Sequence, residues 1–420
     1  MRFFYNLFTY VLLIPYTVYW FLRSFSNKSY RHKLQHRFGI GYPRLEASLW
    51  VHAVSVGEVV AATPLIRALR KNYPAYEVLV TTVTPTGAAR VESLLGTEVS
   101  HAYIPFENPD AVYRFFAATR PKIAMIMETE IWPNLYHGCG IRNIPLVLVS
   151  ARISPRSMNS YRRLLPLFRE TLSHGIVIAA QSEADAERFI SLGASAARTQ
   201  VIGNIKFDME IPVELAEQGR GFRRRFFASR PVWIAASTHE GEEQLVIDTH
   251  RELLKAHADL LLILVPRHPQ RFDAVRQLLD KKGVTYVSRT SAVQCDSATE
   301  VFFGDTMGEV LLFYGASDIA FVAGSLVAVG GHNMLEPAAL GVPIITGPHV
   351  FNAQEIADRF VAEGACRMVA DAAELKNVVD ALLRNPEDAR QLGENGRHIL
   401  ETNRGALSRL MVLIEPLIES

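Results

Sequence analysis

Apolar positions along the chain fall into two patterns. The first is a continuous stretch at the start: FFYNLFTYVLLIPYTVYWFL, residues 3–22, twenty residues without a charge. As a helix it rises about 30 Å at ~1.5 Å per residue, one bilayer core, which predicts a membrane anchor over residues 1–25. Pro15 and the many aromatics leave open a helix lying in one leaflet rather than spanning. The segment ends in WFLRSF with no small-x-small site, unlike a removed signal peptide.

The second pattern is alternation. SLWVHAV (48–54), EVLVTTV (77–83), KIAMIME (122–128), PLVLVS (145–150) and GIVIAA (175–180) are short, unbroken and rich in β-branched residues, as buried parallel strands are. Between them EVVAATPLIRALRK (58–71), TPTGAARVESLL (84–95) and NPDAVYRFFAATR (108–120) carry helical spacing and start signals. This predicts a Rossmann-like domain over 26–207. A second series, VWIAAS (232–237), DLLLILV (259–265), VTYVS (284–288), VFFG (301–304), DIAFVAG (318–324) and VPIITG (342–347), predicts another over 208–400. The tail RGALSRLMVLIEPLI, within 401–420, is amphipathic and is expected to pack on one of the two. The expected fold class is therefore α/β, with two Rossmann-like domains facing a cleft and an N-terminal anchor helix.

Length agrees, since 420 residues exceed one compact core. Lys plus Arg number 44 against 43 Asp plus Glu, a net +1 that gives no global field for nucleic acid. The local balance differs behind the anchor. Arg23, Lys28, Arg31, Lys33 and Arg37 all precede the first acid, Glu46, and such an excess stays on the cytoplasmic side, against anionic head groups. Cys139, Cys295 and Cys366 are odd in number and far apart, which argues against a disulfide framework or a CxxC zinc site.

Candidate chemistry lies at strand ends. In GGHNMLEPAALGVPIITGP (330–348), two glycines precede a short helix beginning near Asn333 and carrying Glu336. Such a turn presents free amides to a phosphate and a carboxylate to ribose hydroxyls; alternatively Glu336 only answers the helix dipole. AASTHEGEE (235–243) places Ser237 and Thr238 before a helix, in N-cap positions, and VPRHPQRF (265–272) places Arg267 and His268 directly after a strand, for an anion or for a surface salt bridge. GDTMGEVLLFYGASD (304–318) adds Asp305, Thr306 and the amides around Gly308 and Glu309. Together these outline an anion and nucleotide pocket, and no DxD-like metal pair stands at a strand end.

The first half contributes acids and cations. METEIWPN (127–134) sets Glu128 and Glu130 at a strand end, VSARISPRSMNSYRRL (149–164) supplies Arg152, Arg156, Arg162 and Arg163, and GNIKFD supplies Lys206, a set suited to an anionic substrate. In HAVSVGEVV (52–60), Glu58 continues the stripe of Ala62, Leu65, Ile66 and Leu69, all within roughly 40° of it at ~100° per residue. The positive helix end favours its ionised form. Two readings stand for Glu58: a general base facing a ligand, or a capping glutamate.

Read together, HAVSVGEV, METEIWPN, SARIS, GNIKFD, ASTHEGEE, VPRHPQRF, GDTMGE, GGHNMLEPAALG and FNAQEI resemble the 3-deoxy-D-manno-octulosonic acid (Kdo) transferases of lipopolysaccharide synthesis, over nearly the whole chain and in order. The resemblance implies an inverting glycosyltransferase of the GT-B fold at the cytoplasmic face of the inner membrane. It implies a CMP-Kdo donor and a lipid A precursor (lipid IVA) as acceptor, with domains expected to close on the reaction; a leaving group with one phosphate and the lack of a DxD-like pair add the expectation of no metal cofactor. It maps the family's base to Glu58 and its CMP pocket to Arg267, His268, Gly308, Glu309, Asn333 and Glu336. The bottom-up reading adds Ser237 and Thr238 to the donor side, and Glu128, Glu130, Arg152 and Lys206 to the acceptor or transition state. A dinucleotide oxidoreductase would need GxGxxG after a strand, and SVGEVV has one glycine. The nearest alternatives are a GT-B enzyme with another nucleotide-sugar donor and a non-catalytic nucleotide-sensing membrane protein.

Overall fold

The computed structural model describes residues 2–26, 28–154, 157–158, 161–162, 165–172, 175–209, 212 and 214–419. Arg156 and Arg163 lie outside the described residues. The chain divides into two compact units, Met1–Asp208 with Asn403–Ser420, and Met209–Thr402.

Unit 1 is built on β1 (Ser48–His52), β2 (Glu77–Thr82), β3 (Ser100–Tyr103), β4 (Pro121–Met127), β5 (Leu146–Ala151), β6 (Val177–Ala180) and β7 (Thr199–Val201), in the order β3-β2-β1-β4-β5-β6-β7 and parallel throughout. Period-2 alternation divides its side chains between two buried faces. Leu49 and Val51 pack toward α2 (Val56–Asn72) and α3 (Pro85–Leu95); Trp50 packs toward α4 (Pro109–Thr119) and α5 (Pro133–Gly140), with Phe115, Phe116 and Tyr136. Two further helices, α6 (Leu165–Leu172) and α7 (Glu183–Ser191), complete this second layer.

Unit 2 begins with α8 (Leu215–Phe226) and continues through β8 (Val232–Thr238), α9 (Glu242–Leu254), β9 (Leu261–Pro266), α10 (Phe272–Lys281), β10 (Tyr286–Ser288), β11 (Val301–Phe303), α11 (Val310–Gly315), β12 (Ile319–Val322), α12 (Leu335–Ala339), β13 (Ile344–Thr346), α13 (Gln354–Ala362), β14 (Cys366–Met368), α14 (Ala372–Arg384) and α15 (Pro386–Thr402). Its parallel sheet runs β10-β11-β9-β8-β12-β13-β14. The strand order reverses between β1 and β4 in one sheet and between β8 and β12 in the other. The carboxyl ends of strands at such a reversal are where open α/β sheets bind ligands.

Three strands were not expected from the sequence: β3, β7 and β14. All are sheet edges, and β7 and β14 are mostly exposed, so none carries an unbroken apolar run.

The apolar N-terminal segment is the helix α1 (Arg2–Ser26), but among the described residues no helix is long and apolar enough to cross a membrane. Asn6, Thr9, Thr17 and the tyrosines dilute it. One side of α1 is tied to unit 1. The Tyr5 hydroxyl donates to Glu107 (2.8 Å), that of Tyr10 to Asp110 (2.9 Å), and Trp20 is buried with the Arg37 guanidinium 3.7 Å from its ring centre. The other side leaves Phe3, Phe4, Leu7, Phe8, Val11 and Ile14 exposed.

The last helix, α16 (Ala406–Glu419), returns to unit 1. Ala406, Leu410, Ile414 and Ile418 recur every four residues, are at most 1% exposed, and join the core of Leu49, Val51 and Ile205. Each buried Leu or Ile contributes about 1.5–3 kcal/mol. Asp208 holds the start of α16, accepting the amides of Gly405 and Leu407 at 2.5 Å each. Asp208→Ala is therefore expected to cost about 1–2 kcal/mol, as other helix-capping losses do, and to speed hydrogen exchange in α16 first. Exchange measured by mass spectrometry checks this; an unchanged α16 would contradict the assignment.

Candidate functional site

In unit 1 the site is assembled at the β1/β4 reversal. Helix α2 starts two residues earlier than its apolar spacing suggests, at Val56, because Ser55 is its N-cap. Glu58 is thus the third helical residue and closes a capping box: its amide reaches the Ser55 hydroxyl (3.4 Å), while its carboxylate accepts the Ser55 hydroxyl (3.1 Å) and the Val54 amide (2.8 Å). The expectation that the helix end keeps it ionised needs correction. Burial, together with the charges of Glu128 and Glu130, outweighs those hydrogen bonds and pushes the carboxyl up to about 7. Capping and a base-like pKa therefore coexist in one group.

Glu128 follows β4 with a positive φ of 55°. A non-glycine residue held there costs of order 1 kcal/mol, and it turns the carboxylate onto two cations, Lys206 Nζ at 2.7 Å and Arg152 Nε at 2.9 Å. Burial alone would raise this carboxyl; Lys206 and Arg152 hold it below the usual glutamate range. Among the described residues no cation is paired with Glu130. Its oxygen accepts the Trp132 indole N–H at 2.9 Å, and burial raises its pKa. Arg162 is exposed.

Lys206 is placed by residues that sequence reasoning passed over. A bulge in β5 sets Ser150 at a φ of 49°, where its hydroxyl accepts the Ile205 amide (3.2 Å) and its carbonyl the Gln181 amide group (2.9 Å). Asn204 bonds Gln181 (3.2 Å) and accepts the Lys206 amide (3.0 Å). The GNIKFD string was the available signal, though only Lys206 stands out in it.

In unit 2 several expectations change. Ser237 and Thr238 are not N-caps: they end β8 at a second bulge, with Ser237 at a φ of 63°, and the cap of α9 is Gly241. The Thr238 carbonyl accepts the Arg267 amide at 3.0 Å, tying β8 to the Arg267–His268 turn. The amides near the reversal are already engaged. Glu242, fully buried, accepts those of Gly324 (2.7 Å), Ser325 (3.1 Å), Leu326 (3.0 Å) and His239 (3.3 Å). Burial raises its carboxyl and the four amides oppose that shift. The Gly330 and Gly331 amides both donate to the Gly324 carbonyl, so they do not face a phosphate. Helix α12 starts at Leu335 rather than near Asn333. Asn333 accepts the Leu335 amide (3.1 Å) and donates to Glu336 (3.2 Å). Glu309 is paired with Arg289 (2.8 Å), and Asp305 with Arg276 (2.8 Å); Gly308, with a φ of 84°, has open space around it.

What the turn does offer is a basic, imidazole-rich surface. His239 and His332 lie parallel, with Nε2 atoms 2.9 Å apart, and His268 meets His239 edge-on. Burial and the neighbouring Arg267 hold His332 down to about 3, and His239 and His268 are lowered as well. Gly324 is required beneath them, because a Cβ there would sit 2.9 Å from the His332 ring. His239, Glu242 and His332 had not been singled out, although the strings ASTHEGEE and GGHNMLEP contain them. Among the described residues no three His, Cys, Asp or Glu side chains form a metal-holding group.

The chain is similar to known proteins in both units. Residues 32–209 match the family described as 3-Deoxy-D-manno-octulosonic-acid transferase (kdotransferase), and residues 234–399 match Glycosyl transferases group 1. The 3-deoxy-D-manno-octulosonic acid transferase of Haemophilus influenzae is 42% identical over 95% of this chain and 94% of its own; that of Bordetella pertussis is 35% identical over 88% and 87%. A UDP-GlcNAc 2-epimerase from Neisseria meningitidis, 16% identical, shares the fold with a TM-score of 0.57 over 88% of this chain and 100% of its own. With two parallel-sheet α/β units and relatives of this identity over most of its length, the chain belongs to the 3-deoxy-D-manno-octulosonic acid transferase family of glycosyltransferases.

Proposed function

We propose that the protein transfers Kdo from CMP-Kdo to a lipid A precursor, lipid IVA, with inversion, and that Glu58 is the general base. The observation that carries this reading is the placement, in a chain of this family, of the buried Glu58 carboxyl at the start of α2 beside Glu128 and Glu130; burial pushes it up to about 7, where a base acting near neutral pH needs its pKa. In the proposed step Glu58 takes the proton of the acceptor hydroxyl, whose oxygen forms the new bond to the anomeric carbon of Kdo. The bond from that carbon to the phosphate oxygen breaks on the opposite face, and CMP leaves with the electron pair. Arg267, with His268 beside it, meets the phosphate; Asn333 and Glu336 address the ribose; Ser237, Thr238 and Gly308 shape the pocket. Glu128, Lys206 and Arg152 form a fixed charge cluster beside the base, and Glu130 raises its pKa further. Glu309, held by Arg289, acts through backbone position rather than as a free carboxylate.

A single phosphate leaving with one added charge is within the reach of Arg267, so the reaction proceeds without a metal. The exposed apolar side of α1, followed by Arg23 and Arg31, fits a helix lying in the cytoplasmic leaflet of the inner membrane and holding the enzyme beside its lipid acceptor.

Three outcomes are expected. Glu58→Gln lowers kcat by ~10²–10⁴ while calorimetry still detects CMP, and the wild-type rate rises with pH through about 7 because the base must be deprotonated. Near-normal turnover of this variant would remove Glu58 as base, and tighter binding of UDP than CMP would assign another donor. Activity survives EDTA; a loss restored by Mg²⁺ would refute the metal-free step. Replacing Phe4 and Leu7 with serine weakens binding to anionic vesicles by about a hundredfold or more in a sedimentation assay, since each removes ~1.5–3 kcal/mol of apolar burial from lipid.

A further inference from the structure

At the amino ends of β8, β12 and β13, the opposite ends of these strands from the donor motifs, unit 2 holds a cavity of about 530 Å³. That is within the ~300–1,000 Å³ usual for small-molecule sites. Its walls are one face of α8, the carboxyl ends of α11 and α14, the turn after α12 and the start of α15. Backbone packs on backbone at two of its corners. A Cβ on Gly219 of α8 would sit 2.5 Å from Gly315, and one on Gly393 of α15 would sit 2.0 Å from the Gly341 oxygen. Main chain therefore fixes how α8 and α15 meet the ends of α11 and α12.

Of the four charged side chains on the walls, three are already paired. Arg223 lies bidentate on Asp318 (2.5 and 2.8 Å) and donates to the Arg230 carbonyl (2.7 Å), and Asp318 also accepts the Val232 amide (2.8 Å). Arg390 is shared by Glu387 and Glu394. The wall amides of Leu340, Gly341 and Val342 donate to carbonyls of α12. Arg220 differs. Four residues after Ala216 and three before Arg223, on one face of α8, it has no hydrogen-bond or ion-pair partner among the described residues. Much of the remaining wall is apolar, from Ile319, Leu340, Val342, Leu382 and Leu383.

One unpaired guanidinium over apolar walls sets the chemistry of the occupant. A carboxylate accepts two parallel N–H bonds from such a group, whereas a phosphate dianion would bring a second charge that no unpaired cation on these walls meets. We infer that the cavity is a regulatory site for a small monocarboxylate with an apolar body. Its connection to the donor side runs through two short helices. Helix α11 is capped by Glu309 and ends at Gly315 on the cavity; α12 starts two residues after Asn333, carries Glu336 and leads into Leu340 on the cavity. At six and five residues they span only about 8–9 Å, so a ligand packed against one end bears on the residues at the other. The ligand and CMP then change each other's affinity by the same factor. This coupling rests on the donor reading proposed above; carboxylate binding itself does not.

The test is calorimetry on the full chain in detergent micelles, with titrations into empty micelles subtracted, comparing octanoate with octanol and acetate. Octanoate is expected to bind about tenfold or more tightly than either, since octanol lacks the charge and acetate the apolar body. Arg220→Gln, at an exposed helix position, is expected to weaken octanoate about tenfold, and Arg220→Lys to retain part of the binding. Ala389→Trp, which fills the cavity, is expected to abolish it while thermal unfolding stays cooperative. Saturating octanoate is expected to change the Kd for CMP severalfold, and CMP the Kd for octanoate by the same factor. Equal octanoate binding in the wild type and Arg220→Gln overturns the site, as does octanol binding as tightly as octanoate. A CMP affinity indifferent to octanoate overturns the regulatory role. If CMP does not bind at all, the donor reading and the coupling fail together, and the octanoate titrations still decide the cavity.

Discussion

Three carboxylates share the carboxyl edge of the unit 1 sheet, and they can do so only because two cations are delivered to one of them. With Lys206 and Arg152 on Glu128, that group remains a carboxylate, and its charge helps raise Glu58 toward neutrality. The two neighbouring acids thus differ in kind: one is clamped and ionised, the other poised to exchange a proton. Desolvation is the largest influence on both; on Glu128 the two cations overcome it, and on Glu58 it prevails. The bulge at Ser150 and the αL backbone at Glu128 are strain that this arrangement requires, and they persist because the surrounding core fixes both strands.

Unit 2 solves a related problem in the opposite sense. Glu242 satisfies three consecutive amides after β12 from inside the fold, leaving positive and imidazole groups to meet solvent. An anion approaching this turn therefore encounters Arg267 and its histidines rather than bare backbone. The same contrast recurs at Glu107, whose buried oxygens take the Asn134 and Leu135 amides at the start of α5 and the Tyr5 hydroxyl of α1. Buried acids in this protein mostly organise turns, and the turns present the chemistry.

What could be read from the sequence follows from how local each feature is. Central strands such as KIAMIME announce themselves because both faces are buried, whereas edge strands such as β7 and β14, half in solvent, carry no such signature. Glu58 was legible as a residue on the buried stripe of α2, since helical periodicity reports direction. Its protonation was not, because that depends on its burial in the fold and then on Glu128 and Glu130, about seventy residues away. The role of Glu242 depends on amides more than eighty positions downstream. The apolar composition of α1 was plain, but the tyrosine–carboxylate bonds that lay it against unit 1 span about a hundred residues and leave no local trace.

The return of the chain to unit 1 sets an order of assembly. The core between β1, β2 and α2 lacks a wall until α16 supplies Leu410, Ile414 and Ile418, and α16 is synthesised after the whole of unit 2. Unit 2, continuous from Met209 to Thr402, has all its strands and helices before that moment. On a ribosome, domains ordinarily finish in the order they emerge. Here the half begun first is completed after the half begun second, and the charge cluster around Glu128, whose Lys206 rides on the segment that α16 pins, matures only once α16 has followed unit 2.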